Sequence, residues 1–70
     1  MLYEGKRYEF TTNDGDLLVG TIEDIVPGRV LLIDVDVLSS MGTTDYLQMT
    51  TLYGEDVSTI TDYKTGERIY

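Results

Sequence analysis

The sequence predicts an all-β domain, a small and strongly bent five-stranded barrel. Three observations lead there. Seven Gly and one Pro divide the chain into short runs rich in Val, Ile, Thr and Tyr, which favour a half-buried pleated surface. No segment sustains the apolar period of a helix. The 70 residues leave room for one domain, and a sheet bent around a single core is the economical way to bury five short strands.

The runs follow in order. Arg7 to Thr12 is the first strand and ends at Asn13-Asp14-Gly15, a strong tight-turn signal. Asp16 to Ile25 is the second, with Gly20 at its middle, where a bend, a bulge or a close backbone approach is expected. Pro27-Gly28 turns the chain into the third, Arg29 to Val37, followed by a loop over Leu38–Thr44. Asp45 to Leu52 is the fourth and Val57 to Thr61 the fifth, separated by Tyr53-Gly54-Glu55-Asp56. The lead Met1 to Lys6 is long enough for one helical turn, too short to be stable alone. The tail Asp62 to Tyr70 carries a turn at Lys64–Glu67, and its Ile69-Tyr70 end either docks or frays. Strict alternation places Leu18, Gly20 and Ile22 on one face of the second strand. In the third it places Leu31, Ile33, Val35 and Val37 inside, with Val30 and Leu32 outside beside Asp34 and Asp36.

Composition narrows the function. With no Cys and no His, disulfides, thiolate or imidazole metal sites, and Cys-His or Ser-His-Asp catalysis are excluded within one chain. No metal, no cofactor and no enzymatic activity are expected. Five Lys+Arg against 13 Asp+Glu give −8, which opposes any phosphate backbone. No apolar run approaches the length of a membrane span, Met1-Leu2-Tyr3-Glu4 does not read as a signal peptide, and the absence of cysteine fits an intracellular, cytoplasmic setting. A chain this short buries only about 60% of its unfolded surface, so self-association is an expected source of stability.

Two stretches resemble the motifs of the Sm-like (Lsm) family. Leu52-Tyr53-Gly54-Glu55-Asp56-Val57-Ser58-Thr59-Ile60 is similar to the second Sm motif, with its Gly and three aliphatic positions present. Tyr53 stands where that motif has Arg, and Asp56 where it has Asn. Gly15, Gly20, Ile22, Ile25, Leu31 and Ile33 fit the spacing of the first motif, with Val26 at its Asp position and Val30 at its Asn position. The resemblance covers roughly residues 8–62 of a single domain spanning 1–70. It implies an SH3-like barrel that pairs its fourth strand with the fifth of a neighbour, a head-to-tail contact closing into a ring of roughly five to seven copies. The implied pairing edges carry Tyr46, Gln48, Thr50 and Leu52 on one side and Val57, Thr59 and Thr61 on the other. The resemblance also implies a single-stranded RNA site at Arg29, Val30, Tyr53, Gly54 and Asp56. There Tyr53 would stack a base, a contact worth about 1–3 kcal/mol, and Arg29 would meet a phosphate. Asp56 accepts but cannot donate, and Val30 reads nothing by hydrogen bonds, so the RNA-reading positions are largely replaced.

Other candidates have simpler readings beside them. Asp34 and Asp36, about 6.6–6.8 Å apart along a strand, have the spacing to hold a cation or work as acid and base; a solvated outer face is the simpler reading. Asn13-Asp14-Gly15-Asp16 resembles the start of a calcium loop, but turn chemistry accounts for it. Glu55-Asp56 in a ring would gather cations or a basic protein near a pore, or form a solvated turn. The six Tyr are a stacking platform or, more simply, packing with hydroxyls at the rim. The functional expectation is therefore a non-enzymatic ring that binds single-stranded RNA weakly or non-canonically. The alternatives are an acidic protein-interaction ring that has lost RNA, with a basic protein as partner, and a monomeric SH3-like adaptor.

Overall fold

The computed structural model describes residues 1–70. Five antiparallel strands, β1 (Arg7–Thr12), β2 (Leu17–Val26), β3 (Arg29–Leu38), β4 (Thr44–Tyr53) and β5 (Val57–Asp62), form one sheet in the order β4-β3-β2-β1-β5. A single 3₁₀ turn, Gly54–Asp56, joins β4 to β5. The sheet is not closed, because its two outermost strands are not hydrogen-bonded to one another. It curls nonetheless: Leu52 of β4 and Val57 of β5 belong to the same buried cluster as Tyr8, Phe10, Ile22, Leu32 and Val35.

The turns follow from their residues. Gly15 takes φ +87 and donates its N–H to Thr12 O at 3.0 Å, closing the β1–β2 hairpin. Pro27 followed by Gly28 at φ +79 has the pattern of a type II turn, in which proline presets the first central residue and glycine supplies the positive φ of the second. In β1, alternation puts Tyr8 and Phe10 inside with their rings edge to face at 6.2 Å. The buried Tyr8 hydroxyl accepts the Tyr3 N–H at 3.0 Å, so it carries no unsatisfied oxygen.

The face assignment of β3 differs from strict alternation. Leu32 is fully buried and Val30 packs against the core, so neither lies outside; Leu31 and Ile33 are half-buried. The cause is Asp34, the one non-glycine residue at positive φ (+54). The β2–β3 register slips between Val19 and Thr21, opposite this residue. A bulge there reverses the parity of the strand, so that Val30 and Leu32 before it and Val35 and Val37 after it all reach the core. Gly20 makes this possible: a Cβ at that position would lie 3.0 Å from Val35 Cγ2 and 3.3 Å from Leu32 Cβ. The close approach expected at Gly20 is thus present, and its consequence is the reversed face.

The lead is not helical. Gly5 at φ +82 makes a turn, and Gly5 N–H→Ile22 O (2.8 Å) and Ile22 N–H→Lys6 O (2.9 Å) extend the pairing with β2. The tail docks. Asp62 anchors its turn by accepting the Lys64 and Thr65 N–H groups on Oδ1, at 2.9 and 3.0 Å.

Candidate functional site

Three connections meet at one end of the curled sheet. The Gly54 N–H donates to Gly28 O at 2.9 Å, which staples the 3₁₀ turn to the β2–β3 turn. The Asn13 N–H donates to Asp56 O and the Asn13 side-chain amide to Glu55 O, both at 2.8 Å, which ties in the β1–β2 turn. Arg29 and Tyr53 are direct partners across β3 and β4. The candidate RNA residues Arg29, Val30, Tyr53, Gly54 and Asp56, separated by up to 27 positions, are therefore gathered at this end.

They do not offer equal chemistry. Tyr53 is 49% exposed, and Arg29 is exposed with no carboxylate in ion-pair range. A ring face and a free guanidinium are side by side. Val30 is half-buried against the core and presents no polar edge. The Gly54 N–H is spent on Gly28, and a Cβ there would make only an ordinary 3.7 Å contact with Gly28 O. Asp56 and Glu55 are exposed and bring negative charge to the same end. Beside them an open groove of about 320 Å³ runs between the two edges of the sheet. Ile25, Val26, Leu52, Val57 and Ile60 line it, and Arg29 also borders it.

The candidate pairing edges divide in two. Tyr46 and Gln48 are exposed and Thr50 is half-buried, whereas the side chains of Leu52 and Val57 belong to the core, Leu52 is paired with Val30 of β3, and the Val57 N–H is spent on Gly54 O. Thr59 and Thr61 are half-buried and face Thr11 and Glu9 of β1. Around these positions β4 also exposes Leu47 and Met49.

Asp34 and Asp36 are committed to Arg7. The guanidinium donates to Asp34 O at 2.8 Å, to Asp36 Oδ2 at 3.3 Å and to Val19 O at 3.3 Å, and lies 5.7 Å from the Tyr63 ring centre. Asp34 Oδ1 in turn accepts the Tyr46 hydroxyl at 2.8 Å, a bond that raises the Tyr46 pKa above 10.0, with desolvation adding to the effect. This is a clamp across the bulge. Asp16 Oδ1 accepts the Ser40 N–H at 2.8 Å, joining two loops, and no group of three or more acidic side chains has the geometry of a metal site. Arg7 and Asp62 were given no role by sequence reasoning. Their oppositely charged partners lie 27 to 56 residues away, and no local spacing signals such a pair.

Asp62 is 5% exposed and bonded to Lys6 Nζ at 2.8 Å. That bond, with the Thr65 and Lys64 N–H groups, holds its carboxyl at about 2, well below the usual 3.8, and raises Lys6 above 10.5.

No family model matches the chain, and no curated protein matches it in sequence. Solved structures do match. A heptameric archaeal Sm protein, solved for its implications for the eukaryotic snRNP core, aligns with a TM-score of 0.71 at 20% identity over 83% of this chain and 85% of its own. The fold is therefore that of an Sm protein: all-β, with five antiparallel strands in one strongly bent sheet. No helix is long and apolar enough to cross a membrane.

Proposed function

We propose that the chain is a non-enzymatic Sm-like protein that assembles with copies of itself into a ring and binds single-stranded RNA weakly through Tyr53 and Arg29. One observation carries the ring. β4 is a ten-residue edge strand with one charged residue, Asp45, and it exposes Tyr46, Leu47 and Met49. Natural edge strands of this length are protected by charge, proline or a cover, and a neighbouring subunit is the cover this fold favours. The heptameric neighbour supports the same reading. Roughly five to seven copies is what the resemblance to the Sm-like family implies for such a cyclic contact.

The RNA contact rests on the Tyr53 ring beside the unpaired Arg29. Its weakness follows from Val30, Glu55 and Asp56, which offer no donor where a base edge and phosphates would approach. The test is fluorescence anisotropy with a labelled oligouridine in low and high salt. Salt-dependent binding lost in Tyr53→Ala is the expected result; unchanged binding in that variant would remove the site. The acidic end favours a second reading, a ring that takes a basic protein and no RNA. Absence of oligouridine binding even at low salt would select it.

A further inference from the structure

The two edges of the sheet are not equally available. β5 pairs with β1 on one side through the register Tyr8↔Asp62 to Thr12↔Val57. Its other side is already taken by the chain's own tail. The Ile69 N–H donates to Ile60 O at 2.7 Å, the Ile60 N–H to Tyr70 O at 3.1 Å, and the Asp62 N–H to Glu67 O at 2.8 Å. Thr61 and Arg68 form an isolated antiparallel bridge between these bonds, and the Ile69 side chain packs on the core. The tail is a short sixth strand in all but length. Its turn is held by Asp62, whose carboxylate receives two backbone N–H groups and the Lys6 ammonium.

We propose that the tail segment Glu67–Tyr70 is a built-in cover for the β5 edge, which must lift before the β4 edge of a second copy can pair there. The inference rests on the ring reading and adds its regulation. The groups that would bond an incoming β4 strand, the N–H and C=O of Ile60 and the N–H of Asp62, are the groups the tail occupies. The two strands compete for the same edge, so assembly is weakened by the fraction of time the tail is docked. Anything that draws the tail away from β5 favours the ring.

A tail lock tests this in the full chain. Thr61 and Arg68 face each other as a non-hydrogen-bonded antiparallel pair, flanked by Ile69 N–H→Ile60 O and Asp62 N–H→Glu67 O. Such pairs have Cα atoms about 4.5 Å apart, within disulfide range. The chain has no cysteine of its own, so Thr61→Cys with Arg68→Cys forms the one disulfide. Ile69→Pro does the opposite, removing the N–H that donates to Ile60. Native mass spectrometry across a concentration series reads both. The oxidised lock is expected to stay unassembled while its reduced form assembles like the wild type. Ile69→Pro is expected to assemble at a concentration lower by about tenfold. Oxidised chains that assemble as readily as reduced ones would overturn the cover and leave the ring standing. Ile69→Pro and wild type both remaining at the 7.9 kDa of one chain would overturn the ring, and the cover with it. A higher thermal midpoint for the oxidised lock than for its reduced form shows that it is folded.

Discussion

β4 and β5 end the same sheet and are finished in opposite ways. β4 has ten residues, one charge and four side chains that are large, apolar or aromatic and exposed: Tyr46, Leu47, Met49 and Tyr53. β5 has six residues, is covered by the tail through backbone bonds, and ends in an acid tied to Lys6. One edge is bare and the other is occupied from within. A bare edge is a ready template for pairing with another chain. In the proposed ring, the covered edge makes association depend on a local rearrangement.

The contrast can be broken at β4. Met49→Glu with Thr51→Glu places two carboxylates at exposed positions of the bare edge, in a chain already at −8. Assembly seen by sedimentation velocity is expected to vanish, with stability changed by no more than about 0.5 kcal/mol, as for ordinary surface substitutions.

The link between the two sides is Asp34, which receives Arg7 from β1 and Tyr46 from β4. Asp34→Val puts a β-branched residue at φ +54 and removes the carboxylate. The expected loss is about 1–3 kcal/mol in urea unfolding, the cost of such backbone strain. Gly20→Ala, opposite the same bulge, crowds Val35 and Leu32 and is expected to cost about 1–3 kcal/mol by overpacking.

A smaller effect sharpens the contrast at β5. Asp62 is depressed from 3.8 to about 2 when folded. The stability it contributes is therefore fully present above 3.8 and is lost as the pH falls towards 2. Unfolding midpoints measured across that window should fall less in Asp62→Asn than in wild type. Hydrogen exchange at the amides of Ile60, Asp62 and Ile69 should rise in that variant, while β1–β2 amides keep their protection.

Much of this fold was legible. The first strand was read with its observed bounds, and the other four to within one residue at each end, because Asn13-Asp14-Gly15, Pro27-Gly28 and Gly54 punctuate the chain where it turns. The inner face of β3 was legible only after the bulge, at Val35 and Val37. Alternation predicts Leu31 and Ile33 inside, and one residue at positive φ reverses it; an Asp within an apolar run gives no local sign of that conformation. Gly20 was the available hint, and its meaning depended on which strand lay opposite. The gathering of Arg29, Tyr53 and Asp56 at one end was foreseeable only through the resemblance to the two Sm motifs, whose loops it brings together. The Arg7 clamp and the tail on β5 were not, because each depends on pairings that only the folded topology brings together.

The most direct measurement is the mass of the native particle at high chain concentration. Native mass spectrometry of the unmodified protein should show a closed assembly of roughly five to seven chains, each of 7.9 kDa, dissociating to monomer on dilution. A monomer at every concentration, with the β4 edge left bare, would contradict the account.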